Sequence, residues 1–177
     1  SLYWQDFNIN ITRKFNKNLY AILSYYNIVL NNDVATVTKE QGYIKSNIIV
    51  GELGYKFANK SSIRTELQWL VVNRKAGNPV DKGDWATLLI EYTINSNWFL
   101  SIMDQYNYVS FDNSVLEDTD GKYHRAHHPY LTVGFVKDAT RIMASYGRQR
   151  AGMFCVGGVC RPVPASNGLT LMFTHSF

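Results

Sequence analysis

Apolar and polar residues alternate along most of this chain, in runs that are separated by polar connecting stretches. In residues 85–94, for example, every even-numbered position is apolar, whereas Thr87, Glu91 and Thr93 occupy odd-numbered positions. A period of two residues is typical of β-strands with two different faces, and no helical period of comparable length competes with it. The pattern therefore predicts an all-β fold. Its nine predicted strands are Leu2–Phe15, Leu19–Leu30, Tyr43–Phe57, Ser61–Val72, Trp85–Ile94, Trp98–Val109, Tyr130–Val136, Thr140–Gln149 and Leu169–Phe177.

The connectors between these strands alternate strictly between short and long. The short ones are 16–18, 58–60, 95–97 and 137–139, and each of the other connectors is several times longer. In an antiparallel meander, alternate connectors lie at opposite ends of the sheet, so one end carries tight turns and the other carries long loops. This asymmetry is typical of bacterial outer-membrane barrels. We therefore expect an antiparallel, up-and-down transmembrane β-barrel.

A soluble β-sandwich or a lipocalin-like barrel is the alternative, because its strands also alternate, with the apolar face turned inward. The loop asymmetry and the sequence of the last strand favour the membrane barrel. Composition adds limited constraints. Charged residues make up 18% of the chain, below the roughly 25% usual in soluble domains, and the net charge of +4 is too small to indicate a nucleic-acid partner. No apolar stretch reaches the ~18 residues of a transmembrane helix.

The last predicted strand ends on an aromatic residue and has apolar residues at alternate positions. Leu169, Leu171, Phe173 and Phe177 carry this pattern, whereas His175 stands where an aromatic residue is commoner. The ending resembles the C-terminal signal of outer-membrane proteins, which implies that the barrel-assembly machinery binds this strand. Since nine is an odd number and single-chain bacterial barrels generally have an even strand number, we expect residues 1–177 to be the C-terminal part of one larger barrel domain.

A second resemblance covers about a fifth of the chain. Tyr146–Gly152, Cys155–Arg161 and Pro164–Ala165 resemble the C-terminus of an uncharacterised family of Bacteroidota outer-membrane proteins. The family carries no activity that could be transferred. The resemblance implies a location in the outer membrane and a barrel fold.

The last long connector contains a hairpin signal of its own. Gly157 and Gly158 suit a two-residue turn, which would place Cys155 opposite Cys160. Opposed cysteines on paired strands can reach disulfide geometry, and an oxidising periplasm would allow the bond, so we expect a disulfide, with a redox pair as the alternative. Three arginines flank this hairpin, and they could line the lumen mouth, bind lipopolysaccharide phosphates or anchor the loop, which is the reading we favour. They are Arg148, Arg150 and Arg161.

Charged residues recur on the polar face of the predicted strands. They are Glu52, Lys56, Arg64, Glu66, Glu91 and Arg141. In a barrel they would face the lumen, either as a selectivity lining or as charges that neutralise one another across strands. The barrel diameter decides between these readings, because small barrels are filled by side chains and wide ones conduct.

Carboxylates and histidines are concentrated in one long connector, which contains Glu117, Asp118, Asp120, His124, His127 and His128. The Asp-x-Asp-Gly fragment lacks the later ligands of a calcium loop, so we expect a solvated loop and no metal site. No Gly-x-Ser-x-Gly or His-Glu-x-x-His motif occurs. We therefore expect no catalytic site and no cofactor.

These expectations lead to one main hypothesis of function and two alternatives. The main hypothesis is a porin-like outer-membrane barrel that lets small polar solutes pass and contacts membrane lipid and lipopolysaccharide. The first alternative is an accessory barrel in a complex with other outer-membrane proteins. The second is a barrel that is held as a client on the assembly machinery through its C-terminal strand.

Overall fold

The alternating runs form β-strands in a computed structural model of the chain, which describes residues 4–31, 43–73, 84–109, 126–150, 152–156 and 159–176. The strands are β1 (Trp4–Lys14), β2 (Leu19–Asn31), β3 (Tyr43–Lys56), β4 (Ser62–Asn73), β5 (Asp84–Thr93), β6 (Trp98–Val109), β7 (Ala126–Lys137), β8 (Thr140–Gln149), β9 (Gly152–Val156), β10 (Val159–Val163) and β11 (Ser166–His175).

Nine of these strands form one antiparallel sheet in the order β1-β2-β3-β4-β5-β6-β7-β8-β11, and β9 pairs with β10 as a separate hairpin. Each strand of the large sheet therefore lies beside its neighbour in sequence, except where the hairpin intervenes. The prediction of an all-β, up-and-down fold is confirmed. The sheet is not closed, because β1 and β11 each have one neighbour. Among the described residues, no helix is long and apolar enough to cross a membrane.

Two predicted strand starts differ from the observed ones by three or more residues, and both lie next to the long connectors. β7 begins at Ala126 and not at Tyr130, because the strand continues through Pro129, which pairs with Asp104. A proline cannot donate a hydrogen bond to the sheet and usually marks a strand end. Here the preceding residue, His128, donates its backbone N–H to the Asp104 carboxylate over 3.1 Å. β11 begins at Ser166, three residues before the predicted start.

Asparagine side chains build three of the four tight turns. Asn16 Oδ1 accepts hydrogen bonds from the backbone N–H groups of Asn18 and Leu19, both over 2.8 Å. In the turn between β5 and β6, Asn95 Oδ1 accepts the equivalent pair of bonds from the backbone N–H groups of Asn97 and Trp98. In the turn between β3 and β4, Asn59 Oδ1 accepts a hydrogen bond from the backbone N–H of Ser61. Such side-chain acceptors imitate a backbone turn, which explains why asparagine recurs in the short connectors.

The two faces of the large sheet differ sharply in exposure. The face that we term the buried face carries Ser24, Glu91, Ser101, Thr132 and Ser145, and Ser101 and Thr132 are each only 1% exposed. An apolar cluster on the same face consists of Leu89, Phe99, Met103, Tyr130 and Met143. Among the described residues, the apolar side chains packed on this cluster are Val136 and Met172 of the sheet and Val163 of the hairpin. The sheet therefore curves around its buried face.

The opposite face, which we term the outward face, is apolar and open to solvent. Leu131 is 43% exposed, Ile102 53% and Leu171 72%, and large apolar side chains on the other strands behave in the same way. The apolar stripe predicted from the sequence thus lies on the convex side of the sheet. β1 is exposed on both faces along its whole length, so the buried face is least covered at this edge.

Candidate functional site

Arg64 is the centre of a charged cluster on the buried face. Its Nη1 donates to Glu66 Oε2 over 2.8 Å and to Glu52 Oε2 over 3.3 Å, and its Nε lies 3.9 Å from Glu91 Oε1. The three glutamates come from β3, β4 and β5, and the register places Arg64 directly opposite Glu91. All four side chains are largely buried. One guanidinium thus faces three carboxylates from three adjacent strands.

Two neutral side chains complete this cluster, and the sequence pattern did not indicate either of them. The Tyr20 hydroxyl donates to Glu52 Oε1 over 2.8 Å, and Gln68 Nε2 donates to Glu66 Oε1. Tyr20 lies over Gly54, where a Cβ atom would overlap the tyrosine ring. The sequence signal for Tyr20 was Gly54, a glycine at a position of β3 that faces the buried side. Such a glycine often makes room for the close approach of a neighbouring group.

The other two predicted lumen charges lie apart from the Arg64 cluster. Lys56 is exposed at the last position of β3, near the tight turn. Arg141 lies on β8, and its guanidinium carbon is 5.9 Å from the ring centre of Phe99. Phe99 in turn covers Gly134 of the intervening strand. The structure therefore brings together four of the six predicted charges, Glu52, Arg64, Glu66 and Glu91.

A second group of side chains lies at the loop end of the buried face. The guanidinium carbon of Arg150 is 4.0 Å from the ring centre of Trp85, and the His128 ring lies 5.5 Å from the same indole. Burial lowers the pKa of Arg150, although an arginine remains protonated at neutral pH. Arg150 directly follows β8, so this contact holds the start of the last loop against β5. The expected role of loop anchoring thus has a structural basis for Arg150.

Arg148 does not share this position. Arg148 has the outward parity of β8, on the same face as the exposed Tyr146. The side chain of Arg161 lies outside those that the structure describes. Arg148 and Arg150 thus occupy opposite sides of the sheet.

The outward face carries a polar pair on β6 and β7, near its loop end. His127 Nδ1 lies 2.7 Å from Asp104 Oδ2, and the Tyr106 ring stacks on the His127 ring with 4.2 Å between centres. The prediction that both His127 and His128 lie in a solvated loop was wrong, because both belong to β7 and point to opposite faces. Asp104 interrupts the apolar stripe of β6, and this interruption was the sequence signal for a polar partner on β7.

The hairpin predicted in the last loop is confirmed at the level of the backbone. β9 and β10 pair with Val156 opposite Val159 and Cys155 opposite Cys160. The side chains of both cysteines lie outside those that the structure describes, so the disulfide stays a prediction.

The residues of the proposed assembly signal form the outward face of the last strand. Leu169, Leu171 and Phe173 are 68%, 72% and 69% exposed, and His175 Nδ1 lies 2.8 Å from the Thr140 hydroxyl. Phe177 lies outside the described residues. Within the part of the chain that the structure describes, β11 is an edge strand beside β8, and an edge strand can pair with another chain.

The described residues contain no group of three or more histidine, cysteine, aspartate or glutamate side chains that could hold a metal ion. The carboxylates and the histidine of the long connector, Glu117, Asp118, Asp120 and His124, lie outside the described residues.

These features define a class of protein, a curved antiparallel meander with an apolar convex face and a charged concave face. The chain belongs to the DUF6029 family, a family of unknown function, whose sequence model matches residues 1–177. Neither a curated protein nor a solved structure matches the chain.

Proposed function

We propose that this chain is part of a β-barrel in a bacterial outer membrane. The observation that carries the proposal is the exposure of the apolar outward face together with the burial of serine, threonine and glutamate on the opposite face. A soluble fold would turn the apolar face inward. Soluble proteins rarely expose large contiguous apolar surfaces, whereas the lipid-facing surface of a barrel is apolar along its whole circumference.

Aromatic side chains at both ends of the outward face support this assignment. The ring centres of Trp98 and Phe135 lie 4.9 Å apart near the tight turns. The ring centres of Trp69 and Tyr108 lie 5.7 Å apart near the long loops. On β6 the distance from Trp98 to Tyr106 corresponds to about 20 Å along the barrel axis, for a rise of about 3.3 Å per residue and a tilt of about 40°. This separation is close to the ~25 Å height of a lipid-facing band with an aromatic girdle at each boundary.

Closure of the barrel would require additional strands. In the nine-stranded sheet, β1 and β11 run in the same direction, because every neighbouring pair is antiparallel. An all-antiparallel barrel therefore closes only when an odd number of further strands is inserted between them. The exposure of both faces of β1 supports the addition of strands at this edge.

We propose that the closed barrel lets small polar solutes pass, with the Arg64 cluster as part of the lumen lining and without a catalytic role. The three carboxylates around Arg64 give this part of the lining a formal charge of −2 when all four groups are ionised. Charged side chains that line a lumen tune its selectivity.

The test is the conductance of the full-length protein in planar bilayers with a salt gradient. We expect discrete conductance steps, and we expect the triple variant Glu52→Gln/Glu66→Gln/Glu91→Gln to shift the reversal potential towards anion preference. Lys137→Gln, which changes a charge on the outward face of β7, serves as the matched control. A conductance equal to that of the bare bilayer would contradict the passage proposal.

A second candidate function follows from the free edge of β11. β11 is the last strand in the order of the described sheet, and an apolar edge strand can add to the sheet of another protein by β-augmentation. The chain would then be an accessory barrel bound to other outer-membrane proteins, or a client of the barrel-assembly machinery. Purification in a mild detergent tests both cases, because a monomer without partners would contradict each of them.

The location and the lipid contacts are part of the same proposal. The resemblance to Bacteroidota outer-membrane proteins supports the location, and co-sedimentation with outer-membrane markers tests it. Lys45 and Arg148 lie on the outward face towards the long loops, where lipopolysaccharide phosphates would be found in this orientation.

We further propose a disulfide between Cys155 and Cys160, supported by their opposition in the hairpin. Both thiols should resist alkylation until the protein is reduced. Alkylation of both cysteines in the unreduced protein would contradict the bond.

A further inference from the structure

Among the described residues, two polar donor groups at the loop end of the buried face have no polar partner. Arg150 contacts the Trp85 ring, and the described residues provide no carboxylate for its guanidinium. Gln149, which is 5% exposed, accepts a hydrogen bond from Ser166 through Oε1, but its Nε2 is buried and has no hydrogen-bond partner. Two adjacent residues therefore present unused N–H groups on the same side of the sheet.

An unsatisfied donor in a buried position, such as Gln149 Nε2, is costly because it has lost its water and gained nothing in exchange. A guanidinium has five N–H donors in a planar fork and no acceptor. Stacking on an aromatic ring engages the face of the guanidinium and leaves its edges available for hydrogen bonds. The complementary ligand is thus an acceptor with a negative charge.

The neighbouring acidic and basic groups are consistent with an anion at this position. Asp84, which directly precedes Trp85, accepts a hydrogen bond from the backbone N–H of Val72 over 2.9 Å, on the β4 side. His128 Nδ1 lies 3.3 Å from the Gln105 carbonyl oxygen. The Arg64 cluster, with its three glutamates, belongs to β3, β4 and β5, and none of its members contributes to the lowered pKa of Arg150.

We propose that Arg150 and Gln149 bind the carboxylate of a small solute at the loop end of the buried face, with Trp85 as the wall that orients the guanidinium. The Arg150 fork would donate two parallel hydrogen bonds to the carboxylate oxygens, and Gln149 Nε2 would donate to one of them. This site deepens the proposed passage function, on which it rests, because it names the class of solute that binds at the loop end, apart from the Arg64 cluster and its net negative charge.

The test is a ligand-observed NMR titration of the full-length protein in detergent, with succinate as the probe. Succinamide, which has the same skeleton without charge, is the control probe. We expect succinate to bind and succinamide not to bind. Charge-assisted hydrogen bonds are strong enough that Arg150→Gln should raise the Kd for succinate at least about tenfold.

Two further variants distinguish binding at this site from a general effect of positive charge on succinate binding. Arg148→Gln removes an equal charge two residues away on the outward face, so its Kd should equal that of the wild type. Arg150→Lys keeps the charge but not the planar fork, and should bind with intermediate affinity. Circular dichroism that matches the wild type confirms that each variant is folded.

Three outcomes would overturn the proposal. They are equal Kd values for the Arg150→Gln variant and the wild type, equal binding of succinamide, and binding of inorganic phosphate in place of succinate. The result is distinguishable from a failure of the passage proposal. If the protein binds succinate through Arg150 but forms no conductance step, the site stands and the porin-like role is wrong. If the protein conducts but does not bind succinate, the porin-like role stands and the site is wrong.

Discussion

At the scale of single residues, the inward or outward direction of a side chain decides what the chain tolerates. Gly51 and Gly54 lie on the same strand with opposite parity. A Cβ atom at Gly54 would overlap the Tyr20 ring, whereas one at Gly51 would have no neighbour within 4 Å. The sequence showed the parity of both glycines, but the tyrosine that covers one of them became visible only with the strand register.

This contrast gives the first prediction. Gly54→Ala should displace the Tyr20 ring, break its hydrogen bond to Glu52 and lower the free energy of unfolding by about 1–3 kcal/mol, as is usual for overpacking. Urea-induced unfolding in detergent measures the change. Gly51→Ala is the matched control and should be close to neutral. Equal effects of the two substitutions would contradict the assignment of the two faces.

The outward face gives the second prediction. Ile102 is 53% exposed and lies on β6 midway between Trp98 and Tyr106. At that depth an arginine would face hydrocarbon, so Ile102→Arg should destabilise the protein in lipid vesicles by about 2–4 kcal/mol. Tyr43→Arg, at the loop-end terminus of β3, should cost at most about 1 kcal/mol. Chemical unfolding from vesicles measures both, and equal costs would contradict the proposed depth.

At the scale of elements, the tight turns were predictable and the long connectors were not. The short connectors contain asparagine at positions where its side chain replaces a backbone acceptor, and the structure shows these bonds. The predicted strand did not extend past Pro129 towards the N-terminus, because a proline usually ends a strand. In the structure, the carboxylate of Asp104 on the neighbouring strand accommodates this proline by accepting the backbone N–H of His128. Long-range pairing of this kind leaves little trace in a local pattern.

The turn between β5 and β6 gives the third prediction. Asn95→Ala removes the acceptor for the backbone N–H groups of Asn97 and Trp98 and should cost about 1 kcal/mol. Ser96→Ala, at the exposed tip of the same turn, is the control and should leave stability unchanged. Thermal unfolding of both variants measures the difference. A neutral Asn95→Ala variant would show that the turn does not depend on its side chain.

At the scale of the whole molecule, alternation predicted the antiparallel meander, because a period of two and short connectors leave few other topologies. The charged residues of the polar face could be assigned to one side, but the convergence of Glu52, Arg64, Glu66 and Glu91 depends on the stagger of three adjacent strands. The stack of Arg150 on Trp85 depends on curvature that brings β8 towards β5. Neither relation can be obtained from the order of residues alone.

The central claim is that the outward face lies in lipid and the buried face does not. The native tryptophans test it directly, because Trp69 and Trp98 are 53% and 45% exposed on the outward face, whereas Trp85 is 8% exposed on the buried face. Single-tryptophan variants of the full-length protein, with phenylalanine at the other tryptophan positions, can be inserted into vesicles whose lipids carry brominated acyl chains. The account predicts strong quenching of Trp69 and Trp98 fluorescence and little quenching of Trp85. Quenching of Trp85 alone, or of none of the three, would contradict it.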